Sequence, residues 1–102
     1  MIGKTRVCPN ANPFFYGASF SIKEVNTAGT HIATEDDFTI LANATAGSIT
    51  ITLPDPTTCK GRVYVIKRTD ATSGNTVTAG TKTVSGFVIM QSDGTNWQVI
   101  AE

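Results

Sequence analysis

Side chains that carry catalysis or bind nucleic acid are scarce in this sequence. Its 102 residues include one histidine, one tryptophan and two cysteines, and eight basic residues are balanced by eight acidic ones. Nucleic-acid binding requires a positive surface that displaces counterions. The nearest basic cluster is offset by acids elsewhere in the chain; it consists of Lys60, Arg62, Lys67 and Arg68. We therefore expect no nucleic-acid partner.

Long apolar runs are also missing. No stretch approaches the length of a membrane span, and the N-terminal sequence MIGKTRVCPNANP lacks the apolar core of a secretion signal. These absences predict a protein that has no membrane partner and is made and assembled in a cytoplasm.

The sequence contains no residue pattern that is typical of a catalytic site. His31 is the single histidine and no Gly-x-Ser-x-Gly motif is present, so His31 is interpreted as a polar surface group beside a turn. Glu35, Asp36 and Asp37 are consecutive, and consecutive side chains of a strand point to alternate sides, which favours a solvated turn over a metal site or an acid–base pair. We expect no enzyme activity, no cofactor and no metal.

The two cysteines, Cys8 and Cys59, are far apart in the sequence and show no metal-binding or redox spacing. Small buried thiols are common in protein interiors. Free thiols are therefore the preferred interpretation, and a disulfide between the two is the alternative.

Residues that favour β-strands are abundant. Val, Ile and Thr make up about a third of the chain, Leu occurs only twice, and no window shows a sustained helical period of apolar residues. The sequence predicts an all-β fold, a small antiparallel β-sandwich or barrel-like domain. A first strand is predicted around Phe20, Ile22 and Val25. Further strands are predicted near 38–42, 48–53, 62–68, 75–79, 82–84, 87–92 and 97–101.

The chain is predicted to consist of an N-terminal arm, residues 1–13, and a single β-domain, residues 14–102. The arm contains Pro9 and Pro13 and shows no alternation. An aromatic cluster follows at Phe14, Phe15 and Tyr16. A small core has little room to bury three such large side chains. We expect another chain to provide its packing partner.

Two neighbouring predicted strands differ in how much burial they require. Ile49, Ile51 and Leu53 alternate with polar residues, as in a strand with one face in water. The run Val63 to Ile66 is apolar throughout and requires cover on both faces. The predicted core and self-association residues are Phe38, Ile40, Ile49, Ile51, Leu53, Val63, Tyr64, Val65 and Ile66, with Val99 and Ile100 from the last strand.

Four motifs, in this order, resemble a β-domain that recurs in tail fibres, head fibres and related virion proteins of bacteriophages. The resemblance covers residues 34–102; its motifs are Asp36-Asp37-Phe38-Thr39-Ile40, Gly47 to Asp55 ending in Leu53-Pro54-Asp55, Gly61-Arg62-Val63-Tyr64-Val65-Ile66-Lys67, and Ser92-Asp93-Gly94-Thr95-Asn96-Trp97. It implies a structural or binding domain that forms a homotrimer around a threefold axis. In similar domains a further strand segment precedes the final hairpin, whereas here Phe87 directly follows Gly86.

Among such virion proteins, two functions are consistent with the sequence. A fibre protein must extend far from the particle surface. A capsid decoration (cement) protein instead requires a compact trimer and an arm that contacts the shell. We expect the second, on the outer surface of a tailed-phage head, with the major capsid protein as partner and with contacts from Ile2, Val7, Phe14, Phe15 and Tyr16. The alternative is a tail-fibre or head-fibre knob that binds host glycan, with Trp97 as the principal contact and Tyr16 and the loop 70–75 beside it.

Overall fold

Nine short β-strands form the part of the chain that the computed structural model describes, residues 19–102. In chain order they are β1 Ile22–Val25, β2 Gly29–Ile32, β3 Thr39–Ala42, β4 Ile49–Thr52, β5 Val63–Arg68, β6 Val77–Ala79, β7 Lys82–Thr83, β8 Phe87–Ser92 and β9 Trp97–Ala101. A single turn of 3-10 helix, Pro56–Thr58, precedes β5. The predicted all-β class is confirmed for these residues.

The strands form two mixed sheets, between which the first six strands alternate. The first sheet has the order β1-β3-β5-β8-β9 and the second the order β2-β4-β6-β7. Within each sheet the strands from β1 to β6 are parallel, so the chain winds around the core as in a parallel β-helix. The antiparallel pairs within residues 19–102 are β5 with β8, β6 with β7 and β8 with β9. The prediction of an antiparallel sandwich is therefore wrong for β1 to β6, although two packed sheets are present.

Inward-facing side chains from both sheets meet in one core. Strand β4 alternates buried Ile49 and Ile51 with exposed Thr50 and Thr52, as its sequence predicts. The buried apolar residues are Val25, Ala33, Ile40, Ala42, Ala44, Ile49, Ile51, Tyr64, Ile66, Val77, Ala79, Val84, Val88 and Met90, with Leu53 and Trp97 packed at the margin. Several of these are alanines, because parallel strands of two close sheets leave little room between them.

Some expectations from the sequence differ from the observed fold. Strand β2 was not predicted, because Gly29-Thr30-His31-Ile32 shows no apolar alternation. Val99 and Ile100, expected in the core, are 40% and 57% exposed, since β9 lies at the edge of its sheet. His31 is half-buried within β2 rather than a surface group beside a turn.

Aspartates organise the connections between strands. The Asp55 carboxylate accepts the N–H and hydroxyl of Thr57 and caps the 3-10 turn, and these bonds lower the pKa of Asp55. In the predicted hairpin turn before β9, Asp93 accepts the N–H groups of Thr95 and Asn96, which lower its pKa. Both turns thus satisfy backbone donors that strands leave unpaired.

Asp70 joins the loop after β5 to the loop after β3. Its carboxylate accepts the N–H of Ala44 at 2.8 Å and of Thr72 at 3.0 Å, and the Arg68 side chain at 3.1 Å. The Arg68 guanidinium, together with these N–H donors, holds the pKa of Asp70 well below its ordinary value. The predicted loop 70–74 is therefore anchored by its first residue.

We expect Asp70→Asn to lower the midpoint of thermal unfolding at neutral pH. A carboxyl whose pKa is lower in the folded chain stabilises it above the unfolded pKa, about 3.9 for aspartate, and that stability is lost as pH falls through the folded value. The variant should therefore also show a shallower decline in the midpoint below about pH 4. Thermal unfolding followed by circular dichroism across pH measures both. Exposed Asp36→Asn is the control, and an equal effect from it would contradict this role.

Candidate interaction surface

The outer face of the first sheet is apolar across its centre. The register places Ile22, Thr39, Val65, Ile89 and Ala101 side by side in one row across all five strands. A neighbouring row consists of Glu24, Leu41, Lys67 and Phe87, and Val63 lies beyond the central row on β5. We call this set of residues the outer face.

Val65, Ile89 and Leu41 of the outer face are half-buried. At its margins Ile22 is 65% exposed and Phe87 is 41% exposed. No other element of residues 19–102 packs over these rows, because the second sheet covers the opposite side. Monomeric proteins rarely leave a contiguous apolar surface of this kind uncovered.

The structure of β5 shows how its wholly apolar run is buried, in contrast to the alternating sequence of β4. Tyr64 and Ile66 point inward and have no exposed surface, whereas Val63 and Val65 point outward and are half-buried. One chain therefore covers one face of the run Val63 to Ile66 and leaves the other on the outer face. Of the other predicted core residues, Ile40, Ile49 and Ile51 are buried, and Phe38 and Leu53 are half-buried.

The outward side of the second sheet carries a polar row, in contrast to the apolar outer face of the first sheet. Thr30, Thr50, Thr78 and Thr83 lie in one row across its four strands, and three of them are exposed. Threonine hydroxyls are satisfied by water or by one another, as with the Thr78 and Thr50 hydroxyls at 3.5 Å. This side requires no cover, so the two sheets present one apolar and one polar surface.

Trp97 closes one end of the core. Its indole N–H donates to the Pro54 carbonyl at 2.9 Å, and its ring packs against Tyr64 with centroids 5.6 Å apart. The Arg62 guanidinium lies 4.4 Å from the centre of the Tyr64 ring, and burial raises the pKa of that phenol. The Trp97 indole thus contacts the fold through its N–H and through a tilted packing on Tyr64, and it is half-buried.

Of the polar residues considered for catalysis, the structure brings together His31 and Asp37. Glu35 and Asp36 are exposed, whereas Asp37 is 8% exposed and accepts the N–H of Thr34, so only two of the three acids lie in a solvated turn. His31 Nε2 lies 3.6 Å from Asp37 Oδ2 with no hydrogen-bond partner. Among residues 19–102 no three His, Cys, Asp or Glu side chains are grouped to hold a metal ion.

A shallow cleft of about 320 Å³ opens near the ends of β1 and β3, where polar residues predominate. Its lining is Glu24, Asn26, Leu41, Asn43 and Thr69. Within the described part of the chain, no helix is long and apolar enough to cross a membrane. Cys59 is a half-buried free thiol whose Sγ lies 3.5 Å from the Asp55 carbonyl oxygen.

Several residues of the outer face were missed in the sequence. Ile22, Leu41, Phe87 and Ile89 belong to it, and of these Phe87 and Ile89 lie in an apolar run, FVIM, that resembles the run in β5. The similarity between the apolar runs of β5 and β8, which are neighbouring strands, is the sequence feature from which Phe87 and Ile89 could have been predicted. The predicted capsid contacts Ile2, Val7, Phe14, Phe15 and Tyr16, like Cys8, lie outside the described residues.

Comparison with protein-family models, with curated proteins and with solved structures finds no match to this chain.

Proposed function

We propose that this chain is a structural protein of a bacteriophage virion, a homotrimeric capsid decoration protein on the outer surface of a tailed-phage head. The observation that carries the proposal is the outer face, an apolar sheet surface that no element of residues 19–102 covers. The order of the four sequence motifs supplies the expected virion context and the expected threefold association.

Association of copies through the outer face removes its apolar rows from water. Burial contributes about 25 cal/mol per Å² of apolar surface, so a face of this kind stabilises association once copies meet. Charges at its margin are complementary: Glu24 and Lys67 lie on either side of Leu41 in one row. A copy turned about a symmetry axis can therefore bring Glu24 of one chain toward Lys67 of the next.

The proposed partner beyond the trimer is the major capsid protein. Contact with it is assigned to the N-terminal residues Ile2, Val7, Phe14, Phe15 and Tyr16. A protein that binds the assembled shell but not its dissociated subunits stabilises the shell by mass action, and repetition over many sites multiplies the effect.

A glycan-binding knob is less well supported. Its principal predicted contact, Trp97, donates its N–H to Pro54 and packs on Tyr64 at the end of the core. The polar row of threonines is flat and lacks an aromatic platform.

The purified chain is expected to have a mass three times 10.8 kDa in native mass spectrometry and to raise the temperature at which shells of its own virus rupture. Quantitative mass spectrometry of virions should find enough copies to occupy threefold positions across the head. A handful of copies located on the tail, or a chain that stays monomeric at high concentration, would contradict the proposal.

A further inference from the structure

The two margins of the first sheet carry exposed apolar side chains. Among residues 19–102 six large apolar residues are exposed, and five of them lie on or directly before strands of this sheet. Phe20 and Ile22, at the β1 margin, are 63% and 65% exposed, and Val99 and Ile100, at the β9 margin, are 40% and 57% exposed. No strand of the described residues pairs with either margin. A partner that covers only the centre of the outer face would leave both margins in water.

The two margins are compatible in direction. Strand β9 runs parallel to β5, because both are antiparallel to β8. Strands β1, β3 and β5 are parallel to one another, so β1 and β9 also run in the same direction. Rotation about an axis along the strands preserves that direction. The β1 margin of one copy can therefore lie beside the β9 margin of the next as a parallel neighbour, and head-to-tail contacts of this kind can close into a ring.

The width of the first sheet determines how many copies fit in such a ring. Neighbouring strands lie about 4.8 Å apart, so five strands span about 19 Å. Three sheets of that width, placed as the sides of a triangle, leave its centre about 5.5 Å from each sheet. Packed sheets lie about 10 Å apart, so each contributes a layer of side chains about 5 Å deep. The outer faces of three copies therefore fill the triangle, whereas a square of four copies would have its centre about 9.5 Å from each sheet and stay open.

The charges of the outer face favour three copies over two. Its charged residues are Glu24 on β1 and Lys67 on the central strand β5, in the same row. Two copies related by a twofold axis that runs along β5 would place each Lys67 opposite its counterpart. In the triangle, Glu24 of the next copy lies at the side where this row ends with Phe87, one strand from Lys67. Long side chains span that distance, so three pairs of opposite charge form between neighbouring chains.

We propose that three copies form a triangular prism whose axis lies along the strands, with the outer faces inside and the β1 margin of each chain beside the β9 margin of the next. The inference rests on the proposed homotrimer and adds which surfaces of neighbouring chains meet. Val65, at the middle of the central row, lies nearest the axis in this arrangement. The threonine row of the second sheet faces away from the axis.

Engineered disulfides test which margins meet. Ile22 and Ala101 are the two ends of the central row, so in the prism Ile22 of one chain lies one strand spacing, about 5 Å, from Ala101 of the next. A disulfide requires Cα atoms within about 7 Å. In a Cys8→Ser, Cys59→Ser background, oxidation of the double variant Ile22→Cys, Ala101→Cys with copper–phenanthroline should yield a covalent trimer on a non-reducing gel. Each single substitution is the control and should yield no covalent species, since equivalent residues lie about 19 Å apart.

Native mass spectrometry of the same variants before oxidation separates failure of this inference from failure of the homotrimer. A native trimer that forms no covalent trimer, or that forms disulfides in either single variant, overturns the margin contact while the homotrimer stands. Covalent dimers as the end product of the double variant indicate a face-to-face pair and overturn the prism. A chain that remains monomeric overturns the homotrimer and the prism with it.

Charge reversal provides a second test that does not depend on disulfide geometry. Glu24→Lys and Lys67→Glu each place like charges between neighbouring chains, and the combined variant restores the pairing. Each single reversal is expected to raise the dissociation constant at least about tenfold at low salt, and the combined variant should recover most of that loss. Both residues are exposed in one chain, so the circular dichroism spectrum should not change. A combined variant that associates as weakly as the single ones in sedimentation equilibrium overturns the pairing on which the prism depends.

Discussion

Val65→Lys is expected to convert the assembly into folded single chains. Val65 lies at the centre of the outer face, between Thr39 and Ile89 in the middle row. Its neighbour Ile66 points into the core and is fully buried, so the substitution alters the outward surface and leaves the interior intact. The variant therefore separates self-association from folding.

The physical reason is the desolvation of an ammonium group. In a single chain, a lysine on the half-exposed outer face can extend its charge into water along its aliphatic stem. Against another copy the charge is enclosed in apolar surface without a partner, which is strongly unfavourable, on the order of 3 kcal/mol or more. Each copy of a symmetric assembly carries the substitution, so the dissociation constant should rise by at least about 100-fold.

Sedimentation equilibrium measures this shift, with circular dichroism to establish that the single chains remain folded. Thr50→Lys is the matched control, because Thr50 occupies a comparable central position on the polar outward side of the second sheet. It should leave the assembly unchanged. Dissociation by both variants, or by neither, would show that copies do not associate through the outer face.

Ile66→Ala is expected to produce the largest loss of stability in the chain itself. Ile66 has no exposed surface and lies between Ile40 and Val88 in the inward row of the first sheet. Removal of a buried isoleucine side chain to alanine costs about 2–5 kcal/mol, from lost transfer free energy and from the cavity that remains. Domains of this size have a total stability of about 5–15 kcal/mol, so the loss is a large fraction of it.

Urea unfolding of single chains measures the difference, most directly in the Val65→Lys background, where association is expected to be absent. The comparison is Val65→Ala in the otherwise unaltered chain. Its urea unfolding is measured at protein concentrations low enough for the assembly to dissociate into single chains. Val65 is adjacent in sequence but outward, and its truncation should cost clearly less than that of Ile66. Equal losses at the two positions would contradict the assignment of inner and outer sides to β5.

The strands were largely predictable because their chemistry is local. Period-two alternation in β4, aspartate and glycine in the turn before β9, and prolines between β4 and β5 each act over a few residues. Strand β2 was not predicted because its residues beside the buried Ile49 and Ile51 of β4 are Gly29 and His31, which carry little hydrophobic signal. The direction of pairing was also not predictable, because alternation in a strand is the same whether its neighbour is parallel or antiparallel.

The candidate surface was predictable only in part. The apolar run Val63 to Ile66 predicts apolar side chains on both faces of β5, and in the structure Val63 and Val65 lie on the side opposite to the buried Tyr64 and Ile66. The other members of the outer face are separated in sequence by up to some eighty positions, and only pairing brings Ile22, Leu41 and Ile89 beside Val65. The hydrogen bond from the Trp97 indole N–H to the Pro54 carbonyl joins positions 43 residues apart, and only the tertiary structure shows it.

The amino-acid sequence by itself determined the β class, most strand positions, the turns and the two apolar faces of β5, because each depends on side-chain chemistry within a few residues. Tertiary structure decided the parallel winding of β1 to β6 and the apolar and polar outward sides of the two sheets. These depend on which strands become neighbours and in what register, and such long-range pairing is settled by the energy of the whole core rather than by any one segment.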